Sequence, residues 1–156
     1  MEVSELDEET QDLDWFALDK EGAVGHFATG GFGALPRSVA SSLEDLKKIT
    51  EYFRSQHAPI ASPIVSRVID SHISLKDEGV MTRYLEDYMK MASRGLFSFD
   101  YLRTGTRPRG YFEVAKPSTP LHSTSLPQEI RQILEKTVLD GISFSTADEI
   151  GVEALQ

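Results

Sequence analysis

The chain contains no cysteine. Disulfides, thiolate metal sites and cysteine nucleophiles are thereby excluded. No apolar run approaches the roughly 20 residues of a membrane-spanning helix. The opening Met1-Glu2-Val3-Ser4-Glu5 lacks the basic and apolar regions of a signal peptide. These absences predict a cytoplasmic, reduced protein with no membrane association. Positive charge is also scarce: 16 Lys and Arg stand against 25 Asp and Glu, a net charge of −9. A duplex-binding protein normally carries a basic patch. The nearest approach to one, Arg103, Arg107 and Arg109, is too small, so no nucleic-acid partner is expected.

The acidity is concentrated at one end. Residues 1–14 hold seven acids and no base, and removing those seven from −9 leaves only −2 for the rest. Residues 1–13 therefore read as an acidic, flexible N-terminal arm, with Leu6 and Leu13 as anchor points, and residues 14–156 as a single domain. Such an arm can dock on a basic partner, although more often it is simply solvated.

Catalytic signatures are missing too. His26, His57, His72 and His122 are far apart, and none lies four residues from another, so there is no helical zinc pair. No Gly-x-Ser-x-Gly nucleophile elbow is present. Asp19, Asp70, Asp100 and Asp140 are scattered singly and do not identify an acid–base pair. No catalytic residue, metal or cofactor is assigned.

What is present is a dense aromatic and glycine stretch over residues 14–33, which holds the one Trp. Two short apolar runs flank the turn residues Asp19-Lys20-Glu21-Gly22 and predict a β-hairpin over about residues 15–29. Trp15 and Ala17 fall on one side, Phe16 and Leu18 on the other; Phe27 opposes Val24, His26 and Ala28. Apolar residues on both sides predict a strand pair covered, at least in part, on both faces. Gly30-Gly31-Phe32-Gly33 could cradle an anion through backbone N–H groups. It reads better as a bend, because Ala34-Leu35-Pro36-Arg37 intervenes before any helix.

Further along, Ser41-x-x-Glu44 matches a capping box, and Leu43, Leu46, Ile49 and Phe53 recur at helical spacing, predicting a helix over 42–56. Residues 64–73 fit helix or strand, with helix ahead. A second helix spans 80–94 and is closed by Gly95; its Met and Tyr stripe reads as core rather than ligand groove. Phe97, Phe99 and Tyr101 alternate with Ser98 and Asp100, predicting a half-buried strand with Asp100 toward solvent or a rim. It pairs with a return strand from Tyr111 to Ala115. A third helix starts at a second capping box, Ser125 to Gln128, and runs through Leu139, followed by a short strand Ile142–Phe144. The fold class expected is α+β: an antiparallel sheet built from hairpins, with about three amphipathic helices packed on it.

Tyr101, Arg107, Arg109 and Tyr111 flank one loop, and Arg with Tyr is a binding-surface composition, although solvated arginines at a hairpin tip are the commoner case. His26, mid-strand between Val24 and Ala28, completes the candidate binding residues; its commoner role is structural.

The run Trp15-Phe16-Ala17-Leu18-Asp19, with Gly22, Gly25-His26-Phe27 and Gly31, resembles the opening motif of a group of small uncharacterised bacterial proteins. The run Leu96 to Tyr101, then Tyr111 and Val114 to Leu121, resembles their later motif. Some proteins of this kind are thought to be immunity proteins, which neutralise secreted toxins. The resemblance brings no established catalytic residues, and its motif residues are those of packing and turns, so it implies a shared fold more than a function. The function expected is non-catalytic protein binding, as an immunity-type inhibitor occluding a toxin. The alternative is a small-ligand binder or enzyme with a pocket between helix 80–94 and the sheet, lined by Tyr84, Tyr88, Phe97 and Phe99. A deep pocket holding His26 and a carboxylate would favour that alternative; a packed core would count against it. A homodimer with a structural role is a third reading, and the oligomeric state stays open.

Overall fold

Strand β1 (Asp14–Asp19) turns through Gly22, at φ +82°, into β2 (Val24–Ala28), and the two pair antiparallel with Trp15 opposite Phe27 and Phe16 opposite His26. The computed structural model describes residues 1–4, 12–31, 35–55, 57–74, 77–104 and 107–155, apart from the side chains of residues 103, 104, 107 and 108. Residues 5–11 of the acidic arm, with Leu6, lie outside the described residues. The flanking ones are anchored. Val3 is buried and its N–H donates to the Ala40 carbonyl, while Leu13 packs against the core.

Five α-helices are described: α1 (Arg37–Ala40), α2 (Leu43–Arg54), α3 (Ile69–His72), α4 (Glu78–Ser93) and α5 (Gln128–Leu134). Two of these are single turns, which no periodicity argument can resolve. The first capping box is displaced by one residue. Ser42, not Ser41, accepts the Asp45 N–H at 3.1 Å, and Glu44 instead holds the chain's own ammonium group at 3.0 Å. Asp77 caps α4 through the N–H groups of Gly79 and Val80, and Gly95 follows it at φ +90°. Residues 64–73 divide: β3 (Pro63–Val65) is a strand and α3 a helical turn.

The helix expected through Leu139 stops at Leu134, and its start at Pro127 has no side-chain cap. Val138–Leu139 forms β6 instead, parallel to β1. A β-branched residue beside Leu fits an edge strand as well as another helical turn. Ile142 to Phe144 is irregular chain leading into a turn rather than strand, and β7 (Glu149–Gly151) and a 3-10 turn, Val152–Leu155, follow.

With β4 (Phe97–Thr104) and β5 (Arg107–Pro117), these strands form one seven-stranded sheet in the order β3-β5-β4-β2-β1-β6, with β7 also on β5. The sheet is mixed, not purely antiparallel: β2 and β4 run parallel, with His26 beside Ser98 and Phe27 beside Phe99. The chain between the two hairpins crosses over through α1 to α4, and a crossover of that length permits parallel pairing. Alternation reports which face a residue takes, not the direction of its neighbour strand.

Both faces are covered. On one, Trp15, Phe27, Phe97, Phe99 and Tyr111 pack with Leu46, Phe144 and Ile150. On the other, Phe16, Leu18 and Val24 meet Ile49 and Phe53 of α2, Met91 of α4 and Ile130 and Leu134 of α5. Further along that face Ala28, Phe112 and Val114 meet Ile69, Tyr88 and Ala92. Gly25 belongs to the first face, where a Cβ would come within 2.8 Å of the Phe144 ring. Asp100, expected toward solvent, is only 6% exposed because α4 closes over its face.

Candidate functional site

Among the candidate residues, His26 does not share a face of the sheet with Tyr101 and Tyr111. Tyr101 and Tyr111 are cross-strand partners on the aromatic face. Tyr111 is buried and its hydroxyl accepts the Trp15 Nε1–H at 3.0 Å. Tyr101 is half-buried, and its ring fills the space above Gly30, at φ +62°, where a Cβ would lie 1.9 Å from it. Arg109 is exposed, and the side chain of Arg107 lies outside the described residues. His26 points the other way, into the helix-covered face.

There it joins an array that no sequence spacing reveals. His26 Nδ1 lies 2.7 Å from Ser98 Oγ and Nε2 3.0 Å from Asp14 Oδ1. Ser98 is the register partner of His26 on parallel β4. A carboxylate only accepts, so the Nε2–H of His26 donates to Asp14, while Nδ1 is bonded to the Ser98 hydroxyl. The other oxygen of Asp14 accepts from Arg54 Nε at 2.7 Å and from Nη2, and Arg54 Nη1 reaches Asp87 at 3.2 Å. Burial pushes the Asp14 carboxyl up, but His26 and Arg54 outweigh it and hold it below its ordinary value. For Arg54, burial acts downward and the Asp14 and Asp87 charges prevail, raising it.

Ser, His and Asp in this order are the parts of an acyl-transfer triad. Such a triad also needs a nucleophile that substrate can reach and a recess for the reacting carbonyl. Ser98 is 0% exposed, lies within a central strand, and is roofed by α4; His26 is 1% exposed. Two aromatic rings, Phe16 at 5.4 Å and Tyr88 at 6.1 Å, flank the imidazole. The array is a sealed polar core in which each buried group has a partner.

Next to it, Asp100 accepts the Tyr84 hydroxyl at 2.5 Å and the Tyr101 N–H at 2.8 Å. Burial raises the Asp100 carboxyl despite these bonds, and burial also pushes up Tyr84 and Tyr88. The four side chains expected to line a pocket here do not share a face. Tyr84 and Tyr88 pack on the α4 side of the sheet, whereas Phe97 and Phe99 lie on the opposite face, because β4 alternates.

The open recesses lie elsewhere. A cleft of about 200 Å³ beside the β1–β2 turn is lined by Asp19, Glu21, Ala23, Phe97, Leu121 and His122. The Asp19 carboxylate there is tied down by the N–H groups of Glu21, Ala23 and Phe144. Exposed Glu21 accepts from the Ser143 hydroxyl. A second cleft, of about 130 Å³, opens at the ends of α2 and α4 and includes Arg94.

No family model, curated protein or solved structure matches the chain. The site is therefore read from its geometry alone. Among the described residues no cluster of three His, Asp or Glu side chains is placed to hold a metal ion, and no helix is long and apolar enough to cross a membrane.

Proposed function

We propose that this chain is a non-catalytic protein-binding domain of the immunity type, a folded body that occludes a basic surface on a toxin. The observation that carries the non-catalytic part is the complete burial of Ser98, the hydroxyl of an array with catalytic composition. Two further features favour a binding surface. The described clefts, at about 130 and 200 Å³, are smaller than the roughly 300–1,000 Å³ of typical ligand pockets. The net charge of −9 speeds encounter with a cationic partner. The cleft beside the β1–β2 turn has apolar walls in Phe97 and Leu121 and carboxylates in Asp19 and Glu21. That combination suits the stem and charged head of a Lys or Arg side chain.

The test is capture of partners from lysate and secreted fractions of the source cell, with a salt series. The expected result is one stoichiometric protein, released by salt, whose activity falls as the complex forms. Glu21→Lys should weaken that complex about tenfold, one unfavourable charge contact. Turnover of an ester or amide by the purified chain, abolished by Ser98→Ala, would overturn the proposal.

A further inference from the structure

Arg94 stands at the C-terminal end of α4 and is 6% exposed, yet its Nη1 has no hydrogen-bond partner. A buried cation without an anion is costly, and such groups are ordinarily paired. Its surroundings show why it is left alone. Arg54, the neighbouring cation, takes Asp14 and Asp87. The helix end would favour a cation, but its carbonyls are engaged. Met91 O accepts from Arg94 N and Leu96 N, Ala92 O from Gly95 N, and Ser93 O from Ile60 N and Ala61 N. Burial and the charge of Arg54 both hold the Arg94 guanidinium below its ordinary pKa.

Arg94 also lines the second cleft, of about 130 Å³. The walls are apolar and aromatic: Tyr52, Phe53, Leu121 and Leu126. His57 stands at the exposed rim, where its Nε2–H donates to the Tyr52 carbonyl at 2.7 Å and its ring lies 4.9 Å from Tyr52. The chemistry missing from this recess is one anionic acceptor with an apolar body. One guanidinium, with its neighbour Arg54 already neutralised, balances one negative charge, not two. Apolar walls disfavour a heavily hydrated dianion such as phosphate. The volume falls below that of drug-sized ligand pockets but near the roughly 150 Å³ apolar cavity that holds benzene, so the body is about one six-membered ring.

We propose that this cleft is a binding site for a small free monocarboxylate, with the carboxylate on Arg94 and the apolar body against Tyr52, Phe53, Leu121 and Leu126. The site shares Leu121 with the turn cleft but is otherwise lined by different residues, and it does not depend on protein binding. A carboxylate there supplies a counter-ion to the Arg94 charge, and the bound form is more stable than the free form by mass action.

The experiment is a titration of the full chain with benzoate, followed by amide chemical shifts and by melting temperature, with benzyl alcohol and inorganic phosphate at equal concentrations alongside. Benzoate should give saturable shifts at residues 52–60, 94 and 121–126 and a rising melting temperature; the neutral isostere and phosphate should give neither. Arg94→Met should weaken benzoate binding at least tenfold and melt no lower than the parent, because it removes an unpaired buried charge. Ala58→Trp, at an exposed position lining the cleft, should block binding with the guanidinium intact, and it carries the test if Arg94→Met fails to fold. Absence of benzoate binding, equal binding by phosphate, or undiminished binding in Ala58→Trp would overturn the assignment.

Discussion

The two faces of the sheet are built from the same strands and held by different physics. On one face Trp15 stacks on Phe27 at 4.0 Å between ring centroids, and Phe27 on Phe99 at 4.9 Å. Phe144 closes the group, 5.5 Å from Phe99. On the other face β2 and β4 set His26, Ser98 and Asp100, as deeply buried but polar, among apolar contacts of Val24 and Ala28 with the helices. The first face is held by area and shape, which tolerate small shifts. The second is directional: each donor needs its acceptor, and one lost partner strands another group. A buried Ser–His–Asp array is thus as much a packing solution as a reactive one, and access decides between the two.

The largest effect should come from the aromatic face. Trp15→Ala removes one end of the stack and leaves the Tyr111 hydroxyl without its donor, at a cost of about 3–5 kcal/mol in urea unfolding. A loss below about 1 kcal/mol would mean that this face is not the main core. Asp14→Ala should cost less, about 2–3 kcal/mol, because it strands His26 Nε2 and half of the Arg54 pairing while Arg54 keeps Asp87 and some solvent. Ser98→Ala should cost about 1–2 kcal/mol, one buried hydrogen bond, and leave partner binding unchanged.

The pH profile separates the buried carboxylates of the sheet. Asp14 is held below its ordinary value of 3.8, so its contribution is complete above that value and is lost as pH falls through the lower folded one. Burial raises Asp100 and Glu113, so the folded chain holds their protons more tightly. Their contribution is complete below the unfolded values and is lost as pH rises through the folded ones. Asp14→Asn should therefore flatten the acid limb of stability against pH, and Asp100→Asn the limb above it, in urea unfolding across a pH series. Identical profiles for both variants would break the distinction.

Much of the aromatic face was legible in the sequence, because alternation alone sorts Trp15 from Phe16 and Phe97 from Ser98. Helices α2 and α4 followed from apolar spacing and their ends from Gly95 and the serines near residue 42. The polar face was not legible. Asp100 read as solvent-facing because nothing local shows that α4 packs over it. Ser98 and His26 meet only through parallel pairing of β2 with β4, a direction that no pattern within either strand encodes. Nothing in the sequence singles out Arg94, and the missing partner of its Nη1 emerges only in the folded structure.

The central claim is that Ser98 is sealed, and the most direct measurement is labelling of the native chain with a fluorophosphonate that reacts with activated serines, read by intact mass and peptide mapping. The account predicts no modification of Ser98 while the chain stays folded. Stoichiometric labelling of Ser98 in the folded protein would contradict it and make the Ser98–His26–Asp14 array a working nucleophile.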